Sequence, residues 1–513
     1  MKIVSVKLKN FRGYSADTTI TFNDLTVFLG KNDVGKSSVL EALDIFFNNG
    51  KGAIKLDKDD INKDAQVNGE TEVVISVCFT DLPQSIIIDR TNETSLEDEH
   101  MLNSDGNLEV IKKYPNAGTP KVYINARHPN NPNCSDLLLC RDSELREILD
   151  DHGIECPDRT RKAVMRKSIW DYYSGDLQIT DRELDITKGE VKTIWDNLQT
   201  YLPIYTLFQS DRKNSDGDSE VQDPLKEAVK EILADETLRT KLNEVASEVE
   251  AKLNQVASRT LAKLTEISPQ IASSLSPVIP SSDSLKWTDV FKNVSIASDN
   301  NIPINKRGSG TKRLILLSFF RAEAERRISG ENSRSVIYAI EEPETSQHAE
   351  NQRVLIHAFQ TLSTAPNTQV IITTHSAIIV KELAFDNLRL VVDSGDGKTI
   401  SSVNPGQLPY PSLNEVNYLA FSEVSEEYHN ELYGYIEECG KLGAYKAGKT
   451  EMPYIRVWQR EQRLQPMNVV LSEYIRHQIH HPENHYNDRY TREQLSESIE
   501  LMRSFILETD FDL

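Results

Sequence analysis

Gly30-Lys31-Asn32-Asp33-Val34-Gly35-Lys36-Ser37 meets the spacing GxxxxGK[ST] at every fixed position, and that spacing is a device for holding phosphate. Gly30 and Gly35 let the backbone curl so that successive N–H groups, through Asn32, point inward, and the positive end of the following helix adds its attraction. Lys36 is placed to reach the β- and γ-phosphates of ATP, and Ser37, followed by Ser38, to offer a hydroxyl ligand to Mg2+. Much further along, Val336-Ile337-Tyr338-Ala339-Ile340 runs into Glu341-Glu342-Pro343-Glu344. A carboxylate at the end of a core strand can hold Mg2+, and its neighbour can polarise an attacking water. Glu341 is expected on the metal and Glu342 on the water. A third apolar run, Gln369 to Thr374, ends at His375, placed to hydrogen-bond a γ-phosphate or that water.

Between these groups lies Lys306-Arg307-Gly308-Ser309-Gly310-Thr311-Lys312-Arg313, opening a helix from Leu314 to Arg326. Ser309 and Gly310 at a helix start form a second anion site. One chain does not need two phosphate cradles for one nucleotide. The economical expectation is that this one closes over ATP held by another subunit.

Each group needs an element to hold it. Lys2 to Phe11 alternates like a strand, Leu25 to Leu29 is a short apolar run, and Ser37 to Phe47 has helical spacing. Residues 72–79 predict another strand. After 280 the pattern predicts helix 310–327, strand 336–340, helix 346–362, strand 369–373, helix 376–384 and strand 388–392. That is α/β with a largely parallel sheet. Asp223-Pro224 is a helix opening, and apolar residues recur from Leu225 to Leu264 at three/four spacing. They predict one long helix, or two broken near Ala234-Asp235-Glu236, ending before Pro269. A short coiled-coil arm and an amphipathic helix packed on the core fit that pattern equally. Past Pro405 to Pro411 helices dominate, at 425–441, 466–480 and 491–507.

The expected organisation is a first half-domain at 1–80, a polar insertion at 81–205, a helical arm at 206–280, a second half-domain at 281–405 and an all-α domain at 410–513. The 513 residues carry 58 basic and 79 acidic side chains, a net charge of −21. So negative a field argues against a broad, nonspecific grip on nucleic acid, while leaving room for a local basic groove. The sequence contains no apolar run long enough for a membrane span and no signal-peptide core, so a cytoplasmic location is expected. The five cysteines are irregularly spaced, without a CxxC pair, and indicate neither zinc site nor disulfide framework.

Together these residues resemble the ABC-type ATPase heads of SMC-like repair proteins and, more closely, the OLD-family and related bacterial defence ATPases. The resemblance covers roughly 1–80 and 200–392. Leu8-Lys9-Asn10-Phe11-Arg12, the Walker A loop, the signature-like Gly308-Ser309-Gly310-Thr311-Lys312, the Glu-Glu-Pro-Glu Walker B and the switch His375 follow in the family's order. It implies that Ser309 contacts the γ-phosphate on the opposite protomer, and that the heads pair on ATP as a homodimer or higher oligomer. The signature departs from LSGGQ. After His375, Asp393-Ser394-Gly395-Asp396 does not make the Toprim set that OLD nucleases carry. The chain is thus similar to ATPase-only members, PtuA-like in Septu and retron systems or AriA-like in PARIS, whose nuclease (HNH or Toprim type) is a separate partner.

In the tail, Arg476 and His481 resemble the R-[polar]-x3-H pattern of HEPN ribonucleases. An arginine can stabilise a phosphate oxyanion, and a histidine can act as acid or base near neutral pH. A helix end whose basic residues complement its dipole, in a bundle kept for assembly or docking, accounts for the same residues. Two functions are therefore expected as alternatives. One is a sensor or regulator ATPase of antiphage defence controlling a nuclease, its own tail or a partner acting on DNA or tRNA. The other is an SMC-like repair ATPase that clamps DNA ends.

Overall fold

The computed structural model describes residues 1–50, 52–89, 92–187, 191–209, 236–278, 295–298, 335–345, 347–393, 397–404, 412–458 and 463–509. The expected Asp223-Pro224 helix start, the helix 310–327, Ser309, Gly310 and Ser394-Gly395-Asp396 lie outside the described residues. The chain divides into two compact units. One comprises Met1–Val27, Gly35–Thr374 and Ser394–Thr399; the other comprises Phe28–Val34, His375–Asp393 and Ile400–Leu513.

The first unit holds an antiparallel sheet in the order Thr18–Thr21, Lys2–Lys9, Glu72–Thr80, Leu108–Pro115, Lys121–His128, Thr180–Asp185. In its founding strand Ile3, Val6 and Leu8 are buried. They share a face only because a bulge between Ile3 and Ser5 shifts the two-residue alternation by one. The last three strands come from the stretch that reads as a polar insertion. Its polarity misleads because charged groups there are buried and satisfied. Glu109 accepts from Lys7 (3.0 Å), Ser76 (3.0 Å) and Asn125 (2.8 Å). Arg166, in the helix Lys162–Tyr172, makes a two-pronged pair with Glu99 at 2.7 and 2.9 Å, and both side chains are buried.

A second six-stranded sheet has the order Ile204–Phe208, Val336–Glu341, Thr368–Thr374, Leu25–Leu29, Leu388–Asp393, Lys398–Ser402. Its first three strands pair in parallel. Every residue of Val336–Glu341 and of Thr368–Thr374 is buried, as strands covered on both faces require. Within the first unit, the Gln369 amide of strand Thr368–Thr374 accepts from Ile3 N–H at 2.7 Å and donates to Ile3 O at 2.9 Å. The helix Lys36–Asn48 packs on the parallel strands: Tyr205 donates its hydroxyl to Leu40 O at 2.6 Å and stacks its ring on Phe47.

The long-helix expectation is met by Glu236–Ile267, whose 32 residues span about 48 Å. Ala257, Thr260 and Leu264 are buried at three/four spacing near its end, so that end is packed rather than free. The preceding turns, from Ser247 to Gln255, are mostly exposed.

In the second unit the helices Leu413–Phe421, Glu426–Glu438, Leu442–Lys446, Leu471–His480 and Arg492–Glu508 follow one another. Tyr428, Leu432, Ile436, Ile475, Ile499 and Met502 build their core. Thr491 and Gln494 form the capping box that the sequence Thr491-Arg492-Glu493-Gln494 announces. The expected helix 466–480 starts only at Leu471, because Arg463–Val470 pairs antiparallel with Glu451–Trp458. A ribbon thus interrupts the tail expected to be all-α. Pro466 within this segment disfavours helix, and Val469 and Val470 are buried in the ribbon instead. No described helix is long and apolar enough to cross a membrane.

Candidate functional site

The phosphate loop leaves the strand Leu25–Leu29 at Gly30, whose φ is 151°. A Cβ there would fall 2.8 Å from Val391 O and 2.8 Å from Val34 Cγ1, so only glycine fits. Gly35, at φ 106°, precedes the helix Lys36–Asn48, and no side chain caps that helix. Its first-turn N–H groups therefore face the place where an anion would be received. Tyr14 donates its hydroxyl to Gly35 O at 3.0 Å and so fixes that peptide. Burial raises the Tyr14 phenol above its ordinary range, keeping it a donor. Lys36 is buried at 4% exposure, Ser37 and Ser38 are half-buried, and Asn32 is exposed. Arg12, in the tight turn before Tyr14, pairs with Glu41 and, at 2.8 Å, with Asp60.

The acidic pair stands at the carboxyl end of the parallel strands. Glu341 is the last residue of its strand, level with Thr373 of the next. Phe208 is level with Ile340, and Gln209, one residue on, donates to Glu41 of the phosphate-loop helix at 3.4 Å. The early turns of that helix therefore lie at the strand ends that carry Glu341 and Glu342. The Tyr205 phenol is raised well above its ordinary value, by burial first and then by the charges of Asp44 and Glu341, which gather around it. Glu342 has φ 39°, a left-handed backbone that costs a non-glycine residue about 1–2 kcal/mol. Its N–H donates to Thr373 O at 3.0 Å and lies 3.2 Å from Thr373 Oγ1.

Glu344, given no role by the sequence pattern, is buried and accepts from Thr374 Oγ1 at 2.7 Å. It locks the acidic turn to the neighbouring strand, and Tyr14 likewise escaped notice. Neither residue belongs to a spaced motif; burial and a distant partner give each its role. His375 directly follows Thr374 and is exposed, just before Ser376 caps the helix Ala377–Lys381.

The residues present fit a nucleotide and Mg2+. Two glycines keep the cradle open, a buried lysine begins the helix, and Ser37 and Glu341 carry oxygens of the kind that would serve as the few protein ligands of a phosphate-bound magnesium. Among the described residues there is no cluster of three or more histidine, cysteine or acidic side chains suited to a dedicated metal cage.

The tail candidates each have a neighbour of their own. Arg476 pairs with Glu437 at 3.0 Å and lies over the Tyr433 ring at 4.3 Å. His481 ends its helix, exposed, 3.4 Å from Glu483. Among the described residues no hydrogen bond or ion pair joins them. His429, the buried histidine of this core, bonds Ser498 at 3.0 Å, and burial, with Arg476 nearby, pulls it down to about 4. It stays neutral and structural.

Solved structures similar to this chain include an SMC head bound to the C-terminal winged-helix domain of ScpA (12% identity, 79% of this chain and 98% of that one, TM-score 0.40). The SMC head domain from Thermotoga maritima is another (12%, 79% and 100%, TM-score 0.35). A third is the Smc head with an extended coiled coil bound to the C-terminal domain of ScpA, derived from Pyrococcus furiosus (15%, 79% and 97%, TM-score 0.41). No curated protein matches the sequence. A family model described as AAA ATPase domain matches residues 1–380. That span takes in the phosphate loop, the acidic strand end and His375, and the chain is a nucleotide-binding member of the AAA ATPase domain family.

Proposed function

We propose that the chain is a sensor or regulator ATPase of antiphage defence, whose heads pair on ATP and whose state controls a nuclease. The observation that carries the hydrolytic part is the meeting of the uncapped helix at Lys36 with Glu341 and the strained Glu342 at one strand edge. Lys36 neutralises the β- and γ-phosphates. Ser37 and Glu341 hold Mg2+, which when bound spreads the phosphate charge. Glu342 orients and polarises water, and His375 hydrogen-bonds the γ-phosphate. Ser309 and Gly310 of a second copy complete the pocket.

The engagement of Arg476 by Glu437 and Tyr433 favours a separate nuclease subunit, HNH or Toprim, over a ribonuclease in the tail. The mostly exposed stretch from Ser247 to Gln255 of the helix Glu236–Ile267 keeps one other reading in play, an SMC-like repair ATPase gripping DNA. Tight, ATP-dependent binding of duplex DNA at moderate salt would select it. The main test is Glu342→Gln. Its turnover is expected to fall at least about a hundredfold while ATP stays bound and the mass doubles or more in light scattering. Unimpaired hydrolysis by that variant would refute the assignment.

A further inference from the structure

Two glycines from different loops make room for one lysine stem. Gly13 lies in the tight turn closed by Phe11 N–H to Tyr14 O at 3.0 Å and Tyr14 N–H to Phe11 O at 2.9 Å. Lys398 N–H donates to Gly13 O at 3.1 Å, tying the start of its own strand to this turn. A Cβ on Gly13 would fall 2.4 Å from Lys398 Cδ and 2.5 Å from its Cε. A Cβ on Gly35 would fall 2.8 Å from the same Cδ and 3.5 Å from Nζ. The stem therefore crosses from the turn to the last glycine of the phosphate loop, and its ammonium ends beside the residue that precedes Lys36.

The Lys398 ammonium thus lies beside the backbone that leads into the helix N-terminus, where Lys36 begins the helix. An anion received at that N-terminus is drawn by the helix dipole and by this second cation as well. Lys398 comes from beyond the matched family domain, which ends at residue 380, and no motif points to it.

We propose that Lys398 is a second phosphate-binding lysine of the nucleotide site, an assignment that rests on Lys36 marking that site. The experiment measures MgATP, MgADP and adenosine binding to the full chain by calorimetry at two salt concentrations, with thermal melts of each ligand-free variant. Lys398→Met is expected to weaken ATP and ADP about tenfold and to flatten their salt dependence. Adenosine binding should be unmoved, and Lys398→Arg should restore most of the loss. If Lys398→Met does not fold, Lys398→Gln takes its place with the same readouts. ATP affinity and salt dependence equal to the parent's, with Lys36→Ala having lost ATP, would overturn the proposal alone. Retention of ATP by Lys36→Ala would overturn the underlying site reading as well. A loss shared equally by adenosine would also overturn it, by making Lys398 a structural brace.

Discussion

Lys112 is an ionisable side chain of the first unit held away from water. It is buried at 2% exposure, donates to Phe46 O and Asn49 Oδ1 at 2.6 Å each, and rests against the Phe46 and Trp195 rings. It thereby satisfies the carboxyl end of the helix whose other end begins at Lys36, where a cation suits the dipole. Burial still pulls it down to about 7. An unfolded chain leaves a lysine near about 10.4, so between those values the unfolded state binds the extra proton and stability rises with pH. Melts of Lys112→Met and the parent from pH 7 to 10 should show that rise in the parent and lose it in the variant. Equal slopes would mean that the ammonium is not held as described. The phosphate loop and the Glu341-Glu342 turn were legible in the sequence because their residues are neighbours in the chain, beside apolar runs that read as strands. Lys112, Tyr14, Glu344 and Lys398 were not, because each acts through a partner that only the fold supplies.

Among the elements, the strands Leu25–Leu29, Val336–Glu341 and Thr368–Thr374 were readable as apolar runs, and their boundaries moved by a residue or so. Strand Leu108–Pro115 was not, since Glu109 and Lys112 are buried inside it and hide the apolar pattern. The ribbon Glu451–Trp458 with Arg463–Val470 was hidden too, by helical spacing in the residues just after it. Two outcomes belong to this scale. Arg166→Met leaves the Glu99 carboxylate buried without its guanidinium. It should cost about 3–5 kcal/mol, read as a lowered denaturation midpoint, while a midpoint equal to the parent's would show the pair to be idle. Arg476→Ala removes a brace between two tail helices. It should lower the stability of the tail and leave RNA uncleaved by the parent and variant alike. Ribonuclease activity in the parent that vanishes in Arg476→Ala and His481→Ala would instead return the nuclease to the tail.

For the whole molecule, the net charge of −21 means that two copies approaching one another repel, and the repulsion weakens with salt. ATP-dependent pairing of Glu342→Gln should therefore strengthen between low and physiological ionic strength. Sedimentation at both would check it, and pairing that weakens with salt would point to an interface held by opposite charges.

The Gln369 amide bonded to both backbone groups of Ile3 has a consequence for how the molecule is made. The first strand cannot acquire that neighbour until the ribosome has delivered a residue 366 positions downstream. At about 5–20 residues per second the wait is on the order of tens of seconds. Throughout that interval the backbone groups of Ile3, just short of the Ser5–Leu8 stretch that pairs with Thr18–Thr21, lack their final partner. The birth of this protein, more than its mature state, is where a chaperone has something to protect.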